Sequence, residues 1–333
     1  MKSYRDIKLA IIITFYNNAK YIDSIFHSLA NQTLLFDEVI CIDHGSKNNC
    51  KNEVLKASNK YQIKSKFIRM NHNYGGPSWP RNLGVQNSSS DYVCFNDPDD
   101  ISLINRCEEI KKELYKKKCD ILIHSFTTYI EDVRNHNFIK LGRTFINKFN
   151  QNKILERLYF DDNILTPVSS YVIKRESILK NTFREEREII GGEDKVLIID
   201  LLLNNNTIFH FNKVLLLYNY GTFDGRKKIR TSLTNRSNTI KISNYILKNF
   251  SDKFNGKISP RSVISIYYAN FILKRHKVLF KEIKKYGFIA NSVIFIALIK
   301  TLLTRGINLI ISLIKNDRKD IIKFISDNYD LKI

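Results

Sequence analysis

The chain has 333 residues, 43% hydrophobic and 26% charged, a balance that suits a globular protein with a sizeable core and excludes a disordered or fibrous one. Its 54 Lys and Arg outnumber 33 Asp and Glu, and a net charge of +21 points to an anionic partner: nucleic acid, an anionic membrane surface or phosphorylated ligands. Five cysteines (Cys41, Cys50, Cys94, Cys107, Cys119) form no CxxC pair and suit a reducing cytosolic compartment, and the polar residues 1–8 carry no signal-peptide pattern.

The apolar run of residues 9–15 (LAIIITF) predicts a strand buried on both faces, as in a parallel sheet. Residues 20–32 place Ile22, Ile25, Phe26 and Leu29 at i, i+3, i+4 and i+7, the spacing of an amphipathic helix. Residues 38–43 (EVICID) predict a second strand, 51–60 a helix, 66–70 a short strand and 92–95 a fourth strand. A long charged helix over 101–118 and a strand over 120–125 follow. This alternation predicts βαβ units and a mostly parallel sheet flanked by helices. Beyond residue 126 the alternation weakens. Residues 193–203 predict an apolar helix, 214–220 a strand, and the chain from about 241 reads as helical.

Residues 288–325 are rich in Ile, Leu and Phe, with Lys300, Arg305, Asn308, Ser312, Lys315 and Lys319 recurring every three or four positions. The uninterrupted apolar stretches fall short of the roughly 20 residues that span a bilayer. A basic, apolar helix lying on an anionic membrane fits this stripe, and so does a core or dimer helix with one wet face.

The motifs sit where strands end. The first strand leads into Thr14-Phe15-Tyr16-Asn17 and the second into Asp43-His44-Gly45-Ser46. Asn73-Tyr74-Gly75 and Pro80-Arg81-Asn82-Leu83-Gly84 follow, then Asp97-Pro98-Asp99-Asp100 after the fourth strand, and finally Gly191-Gly192-Glu193-Asp194. Three carboxylates within four residues repel one another unless a cation holds them, although a solvated turn with a helix cap uses the same residues. The ends of buried strands are also where α/β folds bind ligands.

The order and spacing of these pieces over residues 7–235 resemble the GT-A family 2 glycosyltransferases, inverting enzymes that use nucleotide-sugar donors. The resemblance implies a Rossmann-like GT-A domain over 1–235, with a nucleotide-binding half to about 125 and an acceptor half over 126–235. A helical C-terminal region over 236–333 carries no family motif. It further implies that Asp97 and Asp99 form the Asp-x-Asp motif, with Asp99 or Asp100 the direct ligand of Mn²⁺ or Mg²⁺. Thr14, Tyr16, Asn17, Asp43, His44, Arg81 and Asp97 would contact the nucleotide. Asp194 would be the general base, with Glu193 helping to bind a sugar. Arg230 and Ser232, on a basic loop, would close over the donor phosphates. His44 departs from the pattern, which has a second Asp there that accepts the N3 hydrogen of uracil. A neutral imidazole accepts one hydrogen bond and a protonated one only donates. His44 therefore still reads uracil, or favours a base with an acceptor at N3 such as cytosine, or is simply tolerated.

The leading expectation is a transferase that builds a bacterial surface polysaccharide or glycolipid from a UDP-linked sugar. Its acceptor would be a saccharide or lipid-linked saccharide at the inner face of the membrane. Alternatives are a CDP-linked or other donor, a non-catalytic member of the fold, and a basic nucleic-acid-binding protein. The last lacks any recognisable binding motif, so no nucleic-acid partner is expected. The C-terminal helices could instead hold a second copy of the chain.

Overall fold

Leu9–Phe15 (β1) is the central strand, and its Ile-rich sequence is buried on both faces, with Leu9 to Ile13 wholly inaccessible. In the computed structural model it pairs in parallel with Glu38–Asp43 (β2) on one side and Tyr92–Asn96 (β4) on the other. Ser65–Arg69 (β3) extends the parallel array beyond β2. The structure describes residues 3–132, 137–145, 154, 167–223, 228–229, 242, 245–246 and 249–250, within a compact unit formed by Met1–Lys253.

Helices Ile22–Ala30 (α1), Cys50–Tyr61 (α2) and Arg106–Lys117 (α4) cover the sheet face carrying Leu9, Ile11, Ile13 and Phe15. They contribute Ile25, Phe26, Val54 and Ile110 to a shared core. Ser78–Gln86 (α3) lies against β1 and β2 on the opposite face. There Gly84 meets Ile12 so closely that a Cβ would run into the Ile12 side chain.

The remaining strands make the sheet mixed. Tyr171–Lys174 (β8) enters antiparallel between β4 and Ile121–Asp132 (β6). β6 pairs in parallel with the long Ile208–Phe223 (β9) and antiparallel with Asn137–Phe145 (β7). The two-residue Ile101–Ser102 (β5) and Lys228–Ile229 (β10) both pair with β9. The helices Arg175–Lys180 (α5) and Glu193–Leu203 (α6) complete the described unit.

The parallel βαβ half and α6 follow the sequence expectation closely. The helix expected over 101–118 divides: Ile101 and Ser102 pair with Leu217 and Leu216 of β9, and α4 starts only at Arg106. Tertiary strand pairing overrides the local helical pattern there. α3 escaped the periodicity reading because Pro80 and Gly84 interrupt it, yet Pro80 falls in the first turn, where its missing N–H costs nothing. β8 is too short to be legible.

The compact unit runs to Lys253, past the boundary expected at 235. Residues 242, 245–246 and 249–250 are helical. The stripe of 288–325, Arg230 and Ser232 lie outside the described residues. Among the described residues no helix is long and apolar enough to cross a membrane. All five cysteines are buried and unpaired.

Replacing Gly84 by Ala should cost about 1–3 kcal/mol through overpacking against Ile12. A lower urea midpoint with an unchanged m value would show this.

Candidate active site

Parallel register brings the motif-bearing strand ends to one edge. Phe15 stands opposite Asp43, and Ile13 opposite Asn96. The turns after β1, β2 and β4 therefore open on a common cleft of about 460 Å³. Thr14, Tyr16, His44, Arg81, Asp97, Asp99, Glu193 and Asp194 line it, so eight of the expected site residues converge.

Three other expected residues among those described, Asn17, Asp43 and Asp100, do not line the cleft. Asp43 is fully buried, and its two carboxylate oxygens accept from the Ser46 N–H (2.9 Å) and from Arg69 Nη1 (2.9 Å). Asn17 takes a positive φ of 57°. Its N–H donates to Ser46 Oγ (2.9 Å), and its side-chain oxygen accepts from the Lys47 N–H (2.8 Å). Asn17 and Asp43 thus lock the β1 and β2 turns together, and neither lines the cleft. Gly45 is required in this turn: its φ is +72°, and a Cβ would sit 2.7 Å from the His72 backbone.

Asp100 also departs from expectation. It is 1% exposed, does not line the cleft, and accepts from the Asn219 N–H on β9 at 3.0 Å. Burial and the nearby Asp99 and Asp97 push its carboxyl well above the usual carboxylate range. Asp100 therefore joins the turn to β9 from within the core, which is a role unlike that of a metal ligand exposed to substrate.

Beneath the Asp97–Asp100 turn lies the fully buried Arg106. Its guanidinium donates to Asn96 Oδ1 (2.6 Å), Ser102 Oγ (2.8 Å) and the carbonyls of Phe95 and Ser169. Asn96 in turn donates to the carbonyls of Asp97 and Asp100, each at 2.9 Å. The Asp97 N–H donates to Ser169 Oγ (2.9 Å), and the Tyr129 hydroxyl donates to the Asp99 carbonyl. The turn is held by its backbone, so its side chains can serve the cleft.

Arg81, on α3, reaches across the cleft floor. Its Nη2 binds Asp97 Oδ1 and its Nη1 binds Glu193 Oε1, both at 2.9 Å, and its ring-like plane sits over Phe183. Arg81 is 4% exposed and bridges the two carboxylates from within the cleft wall, while its side chain also lines the cleft. The second Glu193 oxygen accepts from the Gly191 and Gly192 N–H groups, at 2.7 and 3.0 Å. Glu193 is thereby engaged on both oxygens and positions the turn that carries Asp194.

Asp194 opens α6 and accepts from the Lys195 N–H at 2.7 Å. Burial and the adjacent Glu193 push its carboxyl up to about 7, with Arg81 pulling the other way. It is a carboxyl poised to exchange a proton near neutral pH.

Two further cleft residues, Tyr218 and Asn219, lie outside the site residues expected from the sequence, and Asn73 brings in the Asn73-Tyr74-Gly75 motif. Asn73 and Asn219 line the cleft, and Asn219 Nδ2 is a buried donor with no hydrogen-bond partner among the described residues. Tyr218 lines it as well, and burial beside Asp100, Asp97 and Asp99 keeps its phenol protonated. β9 carries Tyr218 and Asn219 to the site from far downstream.

A model of glycosyl transferase family 2 matches residues 10–183, more than half of the sequence. The chain belongs to this family. A cholesterol galactosyltransferase of Borreliella burgdorferi is 25% identical over 240 residues, covering 68% of this chain and 63% of the relative. A poly(ribitol-phosphate) β-N-acetylglucosaminyltransferase, TarP of Staphylococcus aureus, is 25% identical over 203 residues, covering 60% of this chain and 58% of TarP. The chain thus spans less than two thirds of either relative. The crystal structure of S. aureus TarS 1-349 with UDP-GlcNAc superposes with a TM-score of 0.54 and 19% identity, over 81% of this chain and 74% of that one. The fold is the GT-A arrangement.

Exchanging Arg81 for Gln should leave the buried Glu193 carboxylate unpaired and cost about 3–5 kcal/mol. It should also move the Asp194 titration above 7, since Arg81 lowers it. A ¹³C NMR titration of the Asp194 carboxyl, alongside denaturation, measures both; an unmoved Asp194 midpoint would contradict the electrostatic role of the bridge.

Proposed function

We propose that the chain is an inverting, metal-dependent glycosyltransferase that moves a sugar from a UDP-linked donor to a hydroxyl of a bacterial surface glycan or lipid-linked saccharide. The observation that carries this reading is the placement of Asp194, poised near neutral pH, in one cleft with Asp97 and Asp99. The neighbour crystallised with UDP-GlcNAc supports a UDP-sugar, and the relatives named for galactosyl and N-acetylglucosaminyl transfer support a sugar-transferring reaction.

In this reading Asp194 takes the proton from the acceptor hydroxyl as its oxygen attacks the anomeric carbon. The sugar–phosphate bond breaks on the opposite face, the nucleoside diphosphate departs, and the anomeric configuration inverts. Asp194 must be ionised to do so.

The cleft chemistry fits a cation that is shared with substrate. Its described lining holds four acidic side chains (Asp97, Asp99, Glu193, Asp194) against one guanidinium, an environment that repels a bare diphosphate. Among the described residues no three His, Cys, Asp or Glu side chains form a ligand cage. Mg²⁺ and Mn²⁺ need none when phosphates supply ligands, and one or two carboxylates suffice. Asp99 and the Asp97 oxygen not facing Arg81 would hold the ion, which supplies charge neutralisation for the leaving diphosphate. The C-terminal basic stripe supports a peripheral position on an anionic lipid surface, near a lipid-linked acceptor.

Asp99→Ala should abolish divalent-cation-dependent turnover of the donor; full turnover would remove Asp99 from the metal site. Asp194→Asn should keep nucleotide binding and lose transfer by two or more orders of magnitude. In the unmodified chain the transfer rate should climb as pH rises through about 7 and level off above it, because the ionised base is the active form. A rate flat from pH 5 to 9 would remove Asp194 as the base.

A further inference from the structure

We infer that the helix carrying Ile242, Tyr245 and Phe250 clamps the turn that presents Asp194, so that Ile242 and Tyr245 are positioning residues for the transfer step. Neither lines the cleft; both act through residues 184–193. The functional half of this inference rests on the reading of Asp194 as the base.

The helix is seated on the unit by one face. Ile242, Tyr245, Ile246 and Phe250 recur at i, i+3, i+4 and i+8, and all four are buried. A domain boundary at 235 would cut this face away from the unit it packs on.

Ile242 grips the end of the segment. Gly191, Glu193 and Asp194 line the cleft, but Gly192 between them does not. Its φ is −160°, extended backbone open to any residue, so glycine is demanded here by space alone. A Cβ on Gly192 would collide with Cδ1 and Cγ1 of Ile242. Ile242 therefore lies directly on the backbone that enters α6, one residue before Glu193 and two before Asp194.

Tyr245 grips the start of the segment. Its hydroxyl donates to Glu186 Oε1 at 2.7 Å and accepts from Arg184 Nη1 at 3.3 Å. Arg184 continues to Asp200 on α6, through Nε at 2.7 Å and Nη2 at 3.1 Å, and its guanidinium lies over the Phe250 ring. Midway, Ile190 packs against Gly76 on the cleft wall, where a Cβ would come within 3.1 Å of it.

These grips matter because the segment cannot hold itself. Between Arg184 and Gly192 its one regular element is the 3-10 turn Arg187–Ile189, and it pairs with no strand. From the cleft side Glu193 fixes the Gly191 and Gly192 N–H groups. The helix supplies the opposing contact from outside. With one side released, a Gly-Gly turn can swing on the other, and a displacement of about 1 Å is enough to cost a transfer step heavily.

The test uses the full chain with Ile242→Ala, Ile242→Val and Tyr245→Phe. Turnover of UDP-N-acetylglucosamine and of UDP-galactose with Mn²⁺ is measured beside calorimetric UDP binding and amide hydrogen exchange. Ile242→Ala should lower kcat about tenfold or more, with KM for the donor and Kd for UDP changed less than about twofold. Exchange at Gly191 and Gly192 should quicken while the β1 amides stay protected. Tyr245→Phe should move kcat and exchange the same way by less, and Ile242→Val should restore most of kcat. Unchanged kcat and exchange in both Ile242→Ala and Tyr245→Phe would overturn the inference. So would UDP binding and β1 protection falling in step with kcat, the mark of a general structural role. If Ile242→Ala does not fold, Tyr245→Phe carries the comparison. If neither folds, the unmodified chain decides: Gly191 and Gly192 exchanging together with the Tyr245 and Ile246 amides is expected, and exchange independent of them refutes the clamp. An unmodified chain that turns over neither donor would count against Asp194 as the base, while the exchange measurements would still decide the clamp.

Discussion

One guanidinium holds the two sides of the cleft at a fixed separation. Arg81 grips Asp97, after the central parallel strands, with one arm, and Glu193, at the start of α6, with the other. A buried charge without partners is strongly unfavourable, whereas one matched on both arms is tolerated and geometrically exacting. Glu193 passes the constraint on, because its second oxygen holds the Gly191 and Gly192 N–H groups that shape the Asp194 turn. The distance from the diphosphate side to the proposed base therefore depends on one ion-pair triad. The same triad sets the electrostatics of Asp194, which Glu193 pushes up and Arg81 restrains.

The motifs turn out to encode two different jobs in adjacent residues. At the end of β2, Asp43 closes a turn internally while His44 lines the cleft. After β4, Asp97 and Asp99 line the cleft while Asp100 ties the turn to β9. At the start of α6, Glu193 binds the Gly191 and Gly192 N–H groups and bridges to Arg81, while Asp194 carries the titratable group. Side-chain direction changes sharply from one residue to the next in a tight turn, so a run of carboxylates cannot all face one ligand. Those turned inward hold the backbone on which the others stand, and Arg106 with Asn96 completes that support beneath the turn.

This division explains what was legible in the sequence. The strands and the chain-order motifs could be read because β1, β2 and β4 are bounded by local signals: unbroken apolar runs ending in Gly, Asn and Asp. The residue-level roles could not, because each depends on a partner far along the chain. Arg81 meets Glu193 from 112 positions away, and Asp100 meets Asn219 from 119. Nothing near Arg81 in sequence distinguishes a buried bridge from a nucleotide contact. Likewise β8 is four residues long and gains its place only by pairing between β4 and β6. Tyr218 and Asn219 could be placed on a strand but not in a site, since β9 reaches the cleft through its pairing with β6 and β5.

The charge of the whole chain and the charge of its cleft have opposite signs, and they act over different distances. An excess of +21 sets a field that draws anionic ligands and surfaces from outside, within the roughly 8–10 Å reach that physiological salt permits. Inside the cleft that field is replaced by four nearby carboxyls and one already-paired guanidinium. A diphosphate attracted to the protein would thus meet local repulsion at the last step unless it arrives with a divalent cation. Raising the Asp194 pKa eases this repulsion below neutral pH, but in the protonated form that makes the site less acidic the same residue cannot act as a base. In the proposed reaction the need for a cation and the need for an ionised Asp194 would therefore be coupled: the more completely the proposed base is ionised, the more the cleft would need positive charge carried in with the donor.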